Sequence, residues 1–150
     1  MQSIIFFLSS LITFSGLIFG ILLIKTTSEE QKPLGNYFNL SRSAMLILIS
    51  GLILPFLYLY KKILFFISIP FILFLFSKNT IYTYSTLGII FYLSSKNINL
   101  FMVNAVIIFI YGMVYSAITY NKKKQNALNI IFYNAPFLLI SNILFTTSLL

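Results

Sequence analysis

The chain has 150 residues, of which 59% are hydrophobic and 8% are charged, with a formal net charge of +8. Soluble domains carry about 25% charged residues, so this composition excludes an ordinary soluble domain and indicates a basic integral membrane protein. The sequence contains no histidine, cysteine, aspartate or tryptophan. Thiolate catalysis, disulfides and cysteine-held metal centres are therefore excluded.

The first predicted element is a membrane-spanning helix over residues 4–24. No charged residue precedes Lys25, and about 20 apolar residues are enough to cross a bilayer. A cleaved signal peptide fits poorly, because the segment has no cation before its apolar run and the run is too long.

A polar segment, residues 25–43, follows and contains Pro33 and Gly35 as breaks. We expect a loop at the membrane surface. Its charged side chains are candidates for contact with lipid headgroups or a partner protein; they are Glu29, Glu30, Lys32 and Arg42.

Glu29 and Glu30 are the only acidic residues of the chain. Neighbouring side chains point about 100° apart on a helix, so they form no facing acid and base pair. Two adjacent carboxylates also supply too few oxygen ligands for a metal site. We therefore predict no catalytic residue, no metal and no cofactor, with a lipid-headgroup enzyme that uses Glu29 or Glu30 as an alternative.

Five further apolar segments predict helices, at residues 44–60, 63–76, 81–93, 98–120 and 127–150. The fold class is then all-α, a polytopic transmembrane helical bundle of about six spans in one domain over residues 1–150. Fourteen residues rise only about 21 Å in a helix, so the short third and fourth segments leave an alternative of four or five spans plus a re-entrant hairpin. Ser41 and Asn79 are candidate helix caps, and the prolines within the apolar segments are expected to kink them; these are Pro55, Pro70 and Pro136.

Small residues form a stripe on the first helix. Ser9, Thr13, Gly16 and Gly20 share one face, and the two glycines make a GxxxG pattern. Small residues allow close helix approach in membranes. We expect ordinary packing within the bundle, and homodimerisation is the alternative.

Polar residues also mark the last two helices. Asn104, Tyr111 and Tyr115 share a face of the fifth, and Asn134 and Asn142 lie on the sixth. These side chains are expected to bond helix to helix, or else to line a polar path. No ionisable residue falls within the six apolar segments, which disfavours a proton-coupled transporter.

The cations indicate an orientation. The first, third and fifth loops contain seven, and the second and fourth contain three. Cytoplasmic loops collect Lys and Arg, so both termini are predicted to be non-cytoplasmic. Cations spread over both faces form no patch for nucleic acid.

The residues Glu29, Glu30, Lys32, Gly35 and 37–38 just after the first span, with Tyr-Gly at 111–112, form a pattern of their own. The pattern resembles small polytopic membrane proteins of unknown function encoded by some archaea, over about a third of the chain. The resemblance implies a prokaryotic, archaeal cell membrane. An organellar inner membrane is the alternative that the composition leaves open.

These observations predict a non-catalytic accessory or scaffold component of a membrane complex. Its expected partners are the lipid bilayer and other membrane subunits or a second copy of the chain, without nucleic acid. The first alternative is a channel or facilitator for a small neutral or anionic solute.

Overall fold

The structure, a computed structural model, describes residues 3–26, 31–60, 73, 75–77, 79–123 and 126–148. These residues are almost entirely helical, and no strand occurs among them. The predicted all-α class is therefore confirmed. The six helices with defined bounds are α1 Ser3–Thr26, α2 Gln31–Tyr60, α3 Thr80–Ser94, α4 Ile98–Lys123, α5 Ala127–Asn134 and α6 Pro136–Thr147.

Four of the described helical segments are long and apolar enough to cross a membrane: Ser3–Thr26, Tyr37–Phe56, Ile98–Tyr120 and Ala127–Thr147. The last of these contains both α5 and α6. With 15 residues, α3 is shorter than these four, and the predicted third span, 63–76, lies mostly outside the described residues. The structure is thus compatible with a multi-pass membrane protein.

The start of α2 differs from the prediction. Residues 31–43 were expected in a surface loop, whereas the structure begins the helix at Gln31. Pro33 occupies the first turn of α2, where a backbone N–H has no helical partner, so proline is tolerated there. Ser41 consequently lies inside the helix and does not cap it.

The cap predicted at Asn79 is present. Its side-chain oxygen accepts a hydrogen bond of 3.1 Å from the backbone N–H of Ile81, which satisfies one of the free donors of the first turn of α3. Asn97 plays the same part for α4, with its side-chain oxygen 3.0 Å from the backbone nitrogen of Asn99. The Asn97 cap lies in the tight turn that joins the end of α3 at Ser94 to the start of α4 at Ile98.

The most extensive packing joins α1 and α4. Gly16 lies against the backbone of Phe109, and Gly20 lies against the backbone of Met113. The later residue of α1 contacts the later residue of α4, so the two helices run parallel. A Cβ at Gly16 or Gly20 would overlap a carbonyl oxygen of α4, so only glycine allows this approach.

Aromatic contacts show that α3 is antiparallel to α4. Phe91 packs on Phe101 with ring centroids 4.8 Å apart, and Tyr84 packs on Tyr115 at 5.4 Å. The other long neighbour of α4, α2, is also antiparallel, because its Arg42 lies near Tyr115 while its later residues lie near the start of α4.

One end of the bundle contains a cluster of phenylalanine rings, and we call it the phenylalanine end. Phe6 stacks on Phe145 at 4.1 Å and contacts Phe91 at 5.3 Å and Phe101 at 5.9 Å. Such pairs each contribute about 0.5–1.5 kcal/mol. Because Phe6 belongs to α1 and Phe145 to α6, the described chain begins and ends at the same end of the bundle.

The opposite end contains the final residues of α1 and α4, and we call it the basic end. The ammonium group of Lys25 lies 6.0 Å from the ring of Tyr120, and Arg42 approaches Tyr115 from α2. Lys96 lies at the phenylalanine end, in the turn between α3 and α4. The cations of the first and fourth predicted loops are thus separated between the two ends.

Burial follows the pattern suited to lipid. Large apolar side chains point outward, as at Ile4 and Phe132, which are 72% and 74% exposed. Small polar residues are buried between helices, and their hydroxyls bond to the preceding turn, as from Ser94 to Ile90 at 2.7 Å. In lipid, small and hydroxylated residues favour helix interfaces, while apolar side chains suit the outer surface.

Replacing Gly20 with alanine should destabilise the fold by about 1–3 kcal/mol, because the added methyl group forces the α4 backbone away. Gly51 provides a matched control, since a Cβ there would meet no atom of the described residues within 4 Å. Thermal unfolding in detergent should show a lower midpoint for Gly20→Ala, whereas Gly51→Ala should match the parent or exceed it slightly. Equal midpoints for the two variants would contradict the tight contact between α1 and α4.

Candidate functional site

Three tyrosines and one arginine meet between the middle of α4 and the basic end. Tyr111 and Tyr115 lie four residues apart on α4, which places them on one face, and Tyr84 reaches them from α3. The ring of Tyr84 is 5.8 Å from that of Tyr111 and 5.4 Å from that of Tyr115. The guanidinium carbon of Arg42 lies 5.4 Å from the centre of the Tyr115 ring. We call these four residues the arginine–tyrosine cluster.

Arg42 contacts an aromatic face and lies close to phenol groups. Its guanidinium is next to the side chain of Tyr111 and within electrostatic range of Tyr84. Arginine stacks on aromatic rings and retains its charge when partly buried. The only two acids of the chain, Glu29 and Glu30, lie outside the described residues, so no carboxylate side chain faces Arg42 in the part of the chain that the structure describes.

Two hydroxyl groups of the cluster are buried and have no acceptor among the described residues. They belong to Tyr84, which is 2% exposed, and to Tyr111, which is fully buried. A buried hydroxyl without a partner costs about 1–3 kcal/mol. The cluster therefore combines a cation with two unpaired donors.

Asn104 joins α4 to α3. Its side-chain nitrogen donates a hydrogen bond of 2.6 Å to the hydroxyl oxygen of Ser94, and Ser94 in turn donates to the carbonyl oxygen of Ile90. The side-chain oxygen of Asn104 has no partner among the described residues. This amide therefore connects two neighbouring helices.

Asn142 joins α6 to α1 in the same manner. Its side-chain nitrogen donates to the hydroxyl of Ser10 at 3.1 Å and to the carbonyl oxygen of Leu138 at 2.8 Å. Ser10 is fully buried and donates to the carbonyl oxygen of Phe7. The bond links residues 132 positions apart in the chain.

Asn134 lies where the last predicted helix divides. It ends α5, and Pro136 begins α6 after Ala135. Its side-chain nitrogen donates to the carbonyl oxygen of Ile130 at 2.6 Å, which is a bond within its own helix. The predicted single helix over 127–150 is therefore divided at the proline, because proline cannot donate the backbone hydrogen bond that continues a helix.

The predicted polar path is not assembled in one place. Asn104, Asn134 and Asn142 have separate partners on different helices. On α4, the buried apolar residue Ile108 lies one turn after Asn104 and precedes Tyr111 by three residues. A cavity of about 400 Å³ opens elsewhere and is lined by Leu52, Phe56, Asn97, Asn99, Leu100 and Val103.

The small-residue stripe faces the bundle interior. Thr13, Gly16 and Gly20 are buried, and Ser9 is half-buried. The two glycines contact α4, as described above. The stripe thus forms a contact within one chain.

The predicted headgroup contacts divide into three groups. Glu29 and Glu30 lie outside the described residues. Lys32 belongs to the first turn of α2. Arg42, which was expected in a surface loop, lies in α2 within the candidate span Tyr37–Phe56 and faces the tyrosines.

Tyr84 was not singled out from the sequence. The spacing of Tyr111 and Tyr115 is a local signal for one face of α4, whereas the approach of Tyr84 depends on how α3 packs. Within the described residues, no group of three histidine, cysteine or acidic side chains could hold a metal ion.

Comparisons with protein-family models, with curated proteins and with solved structures found no match.

The bond between Asn104 and Ser94 should appear as an energetic coupling. In a cycle of Asn104→Leu, Ser94→Ala and the double variant, we expect a coupling of about 0.6–1.7 kcal/mol, the range for such bonds in membrane proteins. Unfolding in mixed micelles measures it. As a control, Asn104→Leu is combined with Thr119→Val, four turns away on α4. The two changes in unfolding free energy should then be additive. Additivity in both cycles would contradict the hydrogen bond.

Proposed function

We propose that the chain is an integral, multi-pass membrane protein that serves as a non-catalytic accessory or scaffold component of a membrane complex, built with other subunits or with itself. One observation carries this proposal: the polar groups between helices bond helix to helix. Asn104 bonds to Ser94 and Asn142 to Ser10. A transport path would require such groups to converge on one water-accessible cavity.

The packing supports a rigid body. The α1 helix approaches α4 so closely that only glycine fits at the contact. Aromatic rings from α1, α3, α4 and α6 pack together at the phenylalanine end, as Phe6 and Phe91 do. Close packing and interhelical hydrogen bonds are the interactions that hold helices together in lipid. A rigid helical body suits a component that positions other subunits.

The orientation of the bundle is the second part of the proposal. We place the basic end at the cytoplasmic surface, because cytoplasmic loops are rich in Lys and Arg. Both termini are then non-cytoplasmic. We place the protein in a prokaryotic cell membrane, with the archaeal resemblance as the reason.

The positions of the end of α2 and the start of α3 support the proposal of six crossings. Leu52 and Phe56 of α2 lie near Asn97 and Leu100 at the phenylalanine end, whereas Tyr84, near the start of α3, packs on Tyr115 toward the basic end. We therefore propose six crossings, the number that the apolar segments of the sequence predict. Six crossings then account for both termini lying at one end.

Single cysteines would test this topology directly, because the parent chain has none. A membrane-impermeant maleimide applied to intact cells should label Tyr58→Cys and Ser148→Cys. It should label Thr26→Cys and Ser77→Cys only after the membrane is permeabilised. External labelling at both position 58 and position 77 would contradict the six crossings, and external labelling at position 26 would contradict the orientation.

Mild-detergent purification should recover the protein in a stable complex whose mass exceeds that of a single chain. In liposomes, the protein alone should not raise the flux of glycerol or chloride above that of empty vesicles, since its polar groups serve packing. Asn104→Leu is the control variant. A monomer that conducts either solute, with a flux that this variant alters, would contradict the scaffold proposal and favour a channel.

A further inference from the structure

The charge of Arg42 lies within a candidate span and not beyond its end. Arg42 lies on α2 within the segment Tyr37–Phe56, which is long and apolar enough to cross a membrane. A cation within a membrane span requires compensation. Aromatic rings supply part of it, and no carboxylate side chain is available in the described part of the chain.

The donors around this position match an oxyanion. The guanidinium group presents N–H donors in a planar fork that fits two oxygens of a phosphate or carboxylate. The buried hydroxyls of Tyr84 and Tyr111 have no acceptor among the described residues, and the positively charged Arg42 lies near both side chains. An anionic oxygen group would satisfy all three side chains together.

We propose that Arg42, Tyr84 and Tyr111 form a binding site for a phosphate-type oxyanion between the middle of α4 and the basic end of the bundle. The shared chemistry is a phosphate group, supplied either by an anionic lipid or as a free ion. Of the three side chains, only Arg42 is partly exposed, so a lipid phosphate or a free anion would reach the site through Arg42. The site rests on the proposed membrane location, and it does not depend on a scaffold role.

The other cation–ring pairs lack these features. Lys96 lies 5.3 Å from the centre of the Tyr92 ring, and Lys25 lies 6.0 Å from that of Tyr120. Both lysines are exposed, and no buried hydroxyl without a partner occurs at either tyrosine. Lys96 therefore provides a matched control for Arg42, because substitution with glutamine at either position removes one positive charge that lies beside an aromatic ring.

Binding can be measured on the full chain in a neutral detergent. Native mass spectrometry and thermal unfolding would be followed during titration with phosphatidylglycerol, phosphatidylcholine and sodium phosphate, with sodium chloride holding ionic strength constant. We expect saturable binding and a higher unfolding midpoint with phosphatidylglycerol or with phosphate. Arg42→Gln should weaken the affinity at least about tenfold, and Lys96→Gln should stay within about twofold.

The tyrosine hydroxyls have a separate test. The double variant Tyr84→Phe and Tyr111→Phe keeps the rings and removes only the two donors, so it should fold and bind about three- to tenfold more weakly. If Arg42→Gln fails to fold, the binding affinity of this double variant still tests the proposed site. A double variant that binds as the parent does would overturn the site.

The titrations with phosphatidylglycerol and with sodium phosphate distinguish a lipid phosphate from a free anion. A response to phosphatidylglycerol without one to sodium phosphate identifies a lipid phosphate, and a response to sodium phosphate identifies a free anion; both support the site. Equal binding in Arg42→Gln, or no anion-dependent binding by any variant, overturns it. Binding that appears only after Glu29→Gln and Glu30→Gln would also overturn it, because the chain's own carboxylates would then occupy the site. None of these failures bears on the partner and flux measurements that test the scaffold role.

Discussion

The close contact between α1 and α4 is the constraint on which the rest of the bundle depends. Helices in lipid gain little from hydrophobic association, so dispersion contacts and Cα–H···O contacts at short range decide which pairs form. Gly16 and Gly20 allow the α1 backbone to reach carbonyl groups of α4 at Phe109 and Met113. Since these two helices are parallel and distant in sequence, the chain between them must return to its starting end before α4 begins. The antiparallel helices α2 and α3 both pack beside α4 as a result.

The side-chain hydrogen bonds connect helix pairs that the glycine contact leaves out. Asn104 and Ser94 join α4 to α3, and Asn142 and Ser10 join α6 to α1. Each of these bonds buries amide and hydroxyl groups that lipid could not solvate. Because the α1–α4 contact sets the central pair, the two bonds add to the packing that holds α3 and α6 against it. Polar residues at depth thus have a structural use without any requirement for transport.

Features determined by a few adjacent residues were predictable from the sequence, and those that depend on packing were not. The apolar run at 4–24 nearly matches α1, and Asn79 caps α3, because span length and capping are local properties. The predicted start of α2 at residue 44 was wrong, because proline breaks the interior of a helix but is tolerated in the first turn, where Pro33 lies. Tyr84 was missed because no local pattern indicates which residue of α3 will meet Tyr111. The sequence could suggest that Asn104 bonds across helices, but the identity of its partner, Ser94, depends on the tight turn between α3 and α4.

Because α2 begins before Arg42, this arginine lies in a helix and not in a surface loop. In a surface loop, an arginine can turn its charge toward water at little cost. In the structure it lies eleven residues into a helix, about 16 Å along its axis, and the helix packs chiefly against α4 among the described helices. The guanidinium therefore remains beside Tyr111 and Tyr115 for as long as α2 remains on α4. Because the guanidinium that the proposed oxyanion would neutralise also contacts Tyr115 of α4, occupancy of the site and the position of α2 are thermodynamically linked.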